Sequence, residues 1–159
     1  MHDWWQDNQR PTDEECAQAL AEAGEQIDAW GLTMPQVEPL IIHFGLNDFR
    51  RIGLIIYSIV NETEAGYCGK FLFLSDGQTC PCHQHKMKHE TFYIVQGRVK
   101  MVVDDREQTM GPGDVLVMDT GTRHSFTGVG NALLLEVSLP SSGGDNFFDD
   151  KRIGKEGVV

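Results

Sequence analysis

Apolar residues recur at three- and four-residue spacing near the start of the chain and at two-residue spacing through most of the rest. Cys16, Ala19, Leu20, Ala23, Ile27 and Trp30 form one stripe at helical period. Thr12-Asp13-Glu14-Glu15 ahead of them reads as a capping box, and Gly31 as a stop. One amphipathic helix is predicted, its stripe packed on the remainder of the chain, with Gly24 the point at which it could break. After Pro35 and Pro39 the pattern turns to alternation. Strands are predicted over 40–44, 52–60, 69–74, 91–95, 99–103, 115–118, 125–129 and 133–139. The turn material between them includes Asp76-Gly77, Gln96-Gly97, Asp104-Asp105 and Gly111-Pro112-Gly113. Short strands at this spacing predict an all-β fold, a double-sheet jelly roll (double-stranded β-helix), with an N-terminal helical segment. The organisation expected is a helical extension over 1–36, a barrel over 37–153 and a loose tail over 154–159.

Composition narrows the function more than the fold. At 159 residues the chain suits one domain with a real core. A formal net charge of -11 argues against nucleic acid and anionic membrane surfaces, both of which would repel it. A neutral small molecule is compatible. The opening MHDWWQDNQR holds no cationic-apolar leader, and no run approaches membrane-spanning length. Cys16, Cys68, Cys80 and Cys82 show no disulfide framework, Cys80 and Cys82 being too close to bridge easily. A reduced, cytoplasmic protein is the expectation. Trp4 and Trp5, with the apolar helix face, would permit a homodimer contact, ordinary packing being the alternative.

The chemistry concentrates between Gly77 and Gly97. On a strand His83 and His85 share one face, and Glu90 follows closely enough to close on the same point. His124 is the candidate fourth ligand. Histidines two apart on a surface strand are usually just polar residues facing water. Here three His and one Glu converge, a donor set for a divalent metal. Lys88 shares strand parity with Glu90 and so points into the same cavity, where desolvation and a cation would lower its pKa and suit it to proton transfer. A lysine that merely reaches solvent is the plainer alternative. Lys70 lies in an otherwise oily strand and needs a partner or ligand. Glu136 sits within LLLEVSL and shares a face with Leu134 and Ser138. If that face lines the barrel, Glu136 is available as a base; a paired structural carboxylate is the competing reading.

The glycine frame around these residues resembles the cupin superfamily. The first motif is complete: Gly77, five residues, His83-x-His85, four residues, Glu90, six residues, Gly97. The second reads Gly113, five residues, Asp119-x-Gly121, two residues, His124, with Asp119 in place of the usual proline and Gly128 in place of an asparagine. Over roughly residues 67–153 the chain is similar to cupin-type D-lyxose isomerases. The likeness rests on Tyr67-Cys68-x-Lys70, Gly77-Gln78-Thr79-Cys80-Pro81, Lys88-His89-Glu90-Thr91-Phe92, Glu136-Val137-Ser138 and Phe148-Asp149-Asp150-Lys151-Arg152-Ile153.

That resemblance implies one divalent metal, usually manganese, held by His83, His85, Glu90 and His124; zinc, iron, cobalt and nickel are the alternatives. It implies aldose–ketose isomerisation of a free sugar such as D-lyxose/D-xylulose or D-mannose/D-fructose. Lys88 and Glu136 are then the catalytic pair, and Lys70, Asp150 and Arg152 grip the sugar. The closing motif lacks an expected proline, which leaves Asp145 as the alternative acidic match. Two other functions share the donor set: an iron-dependent dioxygenase, which would want an apolar pocket, and a non-catalytic sugar-binding cupin, in which Lys88 and Glu136 would be dispensable.

Overall fold

The computed structural model describes residues 9–159; Trp4 and Trp5 lie outside the described residues. Among the described residues a helix, α1 (Asp13–Ala29), precedes nine strands: β1 (Leu40–Ile42), β2 (Leu54–Glu62), β3 (Tyr67–Leu74), β4 (Thr79–Gln84), β5 (Glu90–Val103), β6 (Arg106–Met110), β7 (Val115–Met118), β8 (His124–Ser138) and β9 (Phe147–Phe148). The predicted jelly roll is the fold observed, with every ladder antiparallel.

Two long strands replace four expected short ones. The pairs 91–95 with 99–103 and 125–129 with 133–139 are each one strand, β5 and β8, paired along their whole length. Register shifts at Ile94/Gln96 and Gln96/Arg98 bend the pair there. Gly97 marks that bend at φ 75°, and a Cβ on it would meet the Asn131 carbonyl oxygen at 2.1 Å, so only glycine fits. The turn signal read there was real, but it marks a bulge and not a chain reversal. Beyond the bend each half joins a different sheet. The C-terminal half of β8 pairs with β3, giving β1-β2-β3-β8-β5-β7; its N-terminal half pairs with β4, giving β9-β4-β8-β5-β6. The two sheets face one another across a core that includes Leu54, Leu72, Phe92, Met101, Phe126 and Leu134.

The capping box forms as read: Thr12 and Glu15 exchange side-chain-to-backbone hydrogen bonds of 2.9 and 3.3 Å. Gly24 does not interrupt α1. The stripe Cys16, Ala19, Ala23 and Ile27 is buried on the outer face of the first sheet, against Ile41, Ile55, Phe73 and Leu133. This corrects the dimer argument, because the helix face invoked for it is already covered. Residues 154–159, expected as a loose tail, are tied down. Val159 N–H donates to the Asn146 carbonyl and Asn146 N–H to the Val159 carbonyl, both at 3.1 Å. No helix among the described residues is long and apolar enough to cross a membrane.

Candidate metal centre and the cavity beside it

Strand alternation carries the site, as the spacing predicts. His83 ends a short ladder against His124, the two being register partners between β4 and β8. His85 follows on the same face, and Glu90 opens β5. One ligand atom from each of the four lies within 4.8 Å of the others, and all four residues are buried. Each imidazole places Nδ1 against a backbone carbonyl: His83 against Pro81 at 2.8 Å, His85 against Asp145 at 2.9 Å, His124 against Thr122 at 3.0 Å. A carbonyl oxygen only accepts, so Nδ1 carries the proton in all three and Nε2 presents a lone pair inward.

The inward atoms include His85 Nε2, His124 Nε2 and Glu90 Oε1, each buried without a hydrogen-bond partner among the described residues. His124 Nε2 stands 2.9 Å and His85 Nε2 3.4 Å from that same Glu90 oxygen. Lone pairs aimed at a carboxylate repel unless a cation sits among them. The donor set therefore fits a divalent metal. Burial, reinforced by the neighbouring His124 and His85, holds His83 well below the ordinary histidine value, which keeps it in the neutral form that a metal requires.

Beside the donor set runs a line of buried charge. Lys88 Nζ lies 2.8 Å from Glu90 Oε2 and 3.0 Å from Glu136 Oε1. Lys70 Nζ lies 3.2 Å from that same Glu136 oxygen and donates to Ser141 Oγ at 3.1 Å. Ser138 donates to it as well, at 3.0 Å. Glu136 thus faces inward with Leu134 and Ser138, while Val137 between them faces out, as the alternation of LLLEVSL predicts. Burial alone would push its carboxyl up, but Lys70 and Lys88 hold it below the usual carboxylate range.

Lys88 departs from expectation. Burial does lower its affinity for a proton, but Glu136 and Glu90 outweigh that and hold the ammonium well above the usual lysine value. Its ammonium stands between two carboxylates, an arrangement that favours the protonated form.

The cavity has a polar end, with His83, Lys70, Lys88, Glu90, Glu136 and Asn146, and an apolar wall from β1, β2 and β3 that includes Ile42, Leu54, Ile56 and Leu72. Asp150 and Arg152 are not brought to it. After β9 the chain turns to bury Ile153, and Asp150 and Arg152 pair with one another at 2.6 Å on the outside, Arg152 with its side chain 75% exposed. Cys82 stays off the site, its thiol pushed up to about 11 by burial and by Asp149.

The acidic residue that does reach the site is Asp145. Its carboxylate accepts from the backbone N–H groups of Lys86, Met87 and Lys88 at 2.9, 3.0 and 2.9 Å, and its carbonyl orients His85. One buried side chain therefore holds the turn that joins the two-histidine strand to Lys88 and Glu90. Nothing local in the sequence signals this clamp; only the pairing of Gln84 with Phe147 places Asp145 over the turn. Asp145→Ala leaves three N–H groups without an acceptor, a penalty on the order of 1–3 kcal/mol for each buried group. The expected result is rapid amide exchange confined to residues 86–88. Turnover per folded, metal-loaded molecule should fall about tenfold or more, because Lys88 is no longer placed. Unchanged exchange at those amides would remove the clamp.

Residues 71–138 match the Cupin domain. A D-lyxose/D-mannose isomerase from Thermosediminibacter oceani is 30% identical over 141 residues, covering 71% of this chain and 77% of that protein. A quercetin 2,3-dioxygenase from Bacillus subtilis is 29% identical over 115 residues, covering 70% of this chain but only 32% of the other. Among solved structures, an L-ribose isomerase from Cellulomonas parahominis with L-ribose superposes with a TM-score of 0.76 at 17% identity, covering 96% of this chain and 98% of that one. At that identity the structural likeness speaks for the fold alone. The sequence relative spans most of both chains, and it is on that ground that the chain belongs to the cupin-type sugar isomerases.

Proposed function

We propose that this chain is a metal-dependent aldose–ketose isomerase acting on a free sugar, D-lyxose/D-xylulose or D-mannose/D-fructose, with manganese as its metal. The observation that carries this reading is the contact between the metal donors and the Lys70–Glu136–Lys88 line through Glu90, all within one cavity. His83, His85, Glu90 and His124 would hold the ion, whose part is to polarise a sugar oxygen as a Lewis acid.

The protein's own groups divide the remaining work. Isomerisation moves a proton between C1 and C2, and Glu136 is the base for that transfer. It is ionised, and the hydrogen bonds to it fall on Oε1, which leaves Oε2 as the oxygen assigned here to the proton transfer. Lys88, held protonated, donates toward the sugar oxygens and does not abstract. Lys70 steadies Glu136 and reaches a hydroxyl beside it. Asp150 and Arg152 would have to reorient to grip the sugar.

A free sugar suits this cavity better than a sugar phosphate. Lys70 and Lys88 are both engaged by carboxylates, and Arg152 points away. No lysine or arginine lining the cavity among the described residues is left to neutralise a phosphate.

The test is a screen of free pentoses and hexoses with chelator-stripped protein, under nitrogen, with and without manganese. The expected result is ketose formation from one or two aldoses, dependent on added metal and indifferent to oxygen. Turnover that needed O₂ and iron would replace this reading with the dioxygenase one. Sugar binding without turnover on any aldose would replace it with the binding cupin.

A further inference from the structure

The cavity is polar at one end only, and the strand register shows where the polarity stops. The row Ser58–Lys70–Glu136–Phe92 crosses the inner face of the first sheet at the level of the proposed base. The next inward-facing row, Leu40–Ile56–Leu72–Leu134–Ile94, carries no polar side chain. Ile42 and Leu54, register partners one step further along, are apolar as well. Ile42, Leu54, Ile56 and Leu72 all line the cavity, and each is 7% exposed or less. Phe44 carries the same wall round toward the donor set. Its ring centroid lies 5.5 Å from that of Phe148, which in turn lies 5.1 Å from that of His83. Phe44 holds this place at φ 57°, a backbone conformation that a bulky residue rarely adopts and that persists only where the surroundings fix it.

The hydrogen-bonding capacity of the lining decides what it can hold. On the isomerase reading, on which this inference rests, O1 and O2 of an aldose belong to the metal, Lys88 and Glu136. Of the polar side chains lining the cavity among the described residues, Lys70 and Asn146 are then left for the rest of the sugar. Lys70 is engaged by Glu136 and Ser141, and its ammonium has one further N–H to give. Asn146 Nδ2 donates to the Val159 carbonyl at 3.1 Å, which leaves Oδ1 as an acceptor. Two hydroxyls, O3 and O4, can be met in this way. The backbone of the wall adds nothing, because Ile56 and Leu72 each pair with a strand on both sides. A hydroxyl on the terminal carbon, set against Ile56 and Leu72, would be desolvated without a partner, where a methyl group would fit.

We infer that the preferred substrate is a terminally deoxygenated aldose, with a methyl group in place of the terminal hydroxymethyl. In a 5-deoxypentose every polar atom is then matched; a 6-deoxyhexose leaves one, O5. The wall formed by Ile42, Leu54, Ile56 and Leu72 sets this preference. An apolar pocket discriminates against an added hydroxyl by up to about 10²-fold, so the methyl-ended sugar should be favoured by about 10–10²-fold in kcat/KM.

The test compares two matched pairs on the full chain loaded with manganese: D-lyxose against 5-deoxy-D-lyxose, and D-mannose against 6-deoxy-D-mannose. Each pair differs only at the terminal carbon. Ketose formation is expected from all four, with the methyl-ended member ahead in both pairs. A hydroxymethyl sugar that is equal or better in either pair overturns the inference and leaves the isomerase reading standing. Turnover of none of the four counts against the isomerase reading instead, and calorimetric binding of the same pairs then decides the inference. Tighter binding of both methyl-ended sugars by about tenfold or more supports it; equal binding, or none, overturns it. Ile56→Thr places a hydroxyl on the wall at nearly constant shape and is expected to reduce the preference to about threefold or less. A folded variant with the wild-type preference overturns the assignment to this wall; should it not fold, the two wild-type pairs decide by themselves.

Discussion

Replacing His124 by Ala will leave purified protein with far less than the one equivalent of divalent metal expected for the wild type, while the barrel stays folded. The three imidazoles are not interchangeable surface groups. Each is locked in one tautomer by a carbonyl, and His124 Nε2 makes the closest approach to Glu90 Oε1, at 2.9 Å. Loss of a mere hydrogen-bond partner to a ligand costs metal affinity about 10–100-fold, so removal of the ligand itself should cost more than about 10²-fold. Metal analysis after dialysis, with competitive titration, measures this directly; full occupancy in the variant would take His124 out of the donor set. Stripping the metal from wild type should also expose a pH dependence. His83 is held well below its ordinary value of 6.5, so the folded chain keeps it neutral where the unfolded chain takes up a proton. Its contribution to stability is complete above about pH 6.5 and is lost as pH falls below that. The thermal midpoint of chelator-treated protein should therefore drop on acidification, and saturating metal should raise it at neutral pH.

Most of this centre was legible because a two-residue period fixes which side chains share a face. His83 with His85, and Leu134 with Glu136 and Ser138, are statements about parity, and parity survives errors in strand length. The strands that escaped reading failed for identifiable reasons. β6 is Arg-Glu-Gln-Thr-Met, exposed at all but its last residue, so no alternation announces it. It is fixed instead by the Asp104–Asp105 turn, both residues at positive φ, which pairs Val103 with Arg106. β4 was legible only through its histidine pair, because Pro81 and two cysteines hide its alternation, and β9 is two phenylalanines long.

Long-range placement was the other limit. Likeness to a motif left Asp150 and Asp145 as rival closing acidic residues; the chain there buries Ile153 and pairs Asp150 with Arg152 away from the cavity, while Asp145, the alternative, clamps the turn at residues 86–88. The expectation for Lys88 weighed desolvation and a neighbouring cation but not the carboxylates that face it. Desolvation disfavours an isolated ammonium, but two carboxylates within 3.0 Å reverse the sign.

Those same contacts sharpen what Glu136→Gln should do, and its effect on turnover is expected to be the largest of any substitution that leaves the metal in place. Glutamine keeps the shape and can still accept from Ser138, Lys88 and Lys70 through its carbonyl oxygen. What it cannot do is take a proton, and no second base stands ready. Lys88 is held in its protonated form, and Glu90 belongs to the metal donors. The expected variant folds, retains its metal, still binds sugar, and loses on the order of 10²-fold or more in kcat with a much smaller change in KM. There is a structural competitor to this account, because Glu136 is also a carboxylate shared by two buried lysines. Among the described residues, removing its charge leaves Lys70 without a carboxylate partner and Lys88 with Glu90 as its one counter-ion, a loss that would appear in the thermal midpoint. The two roles separate when metal content, thermal midpoint and isomerisation rate are measured on one preparation. A lowered midpoint with normal turnover per folded molecule makes Glu136 a structural counter-ion. A normal metal content with turnover reduced about 10²-fold makes it the base, and a sugar deuterated at C2 should then show slowed turnover in the wild type, where proton abstraction is the step that Glu136 performs.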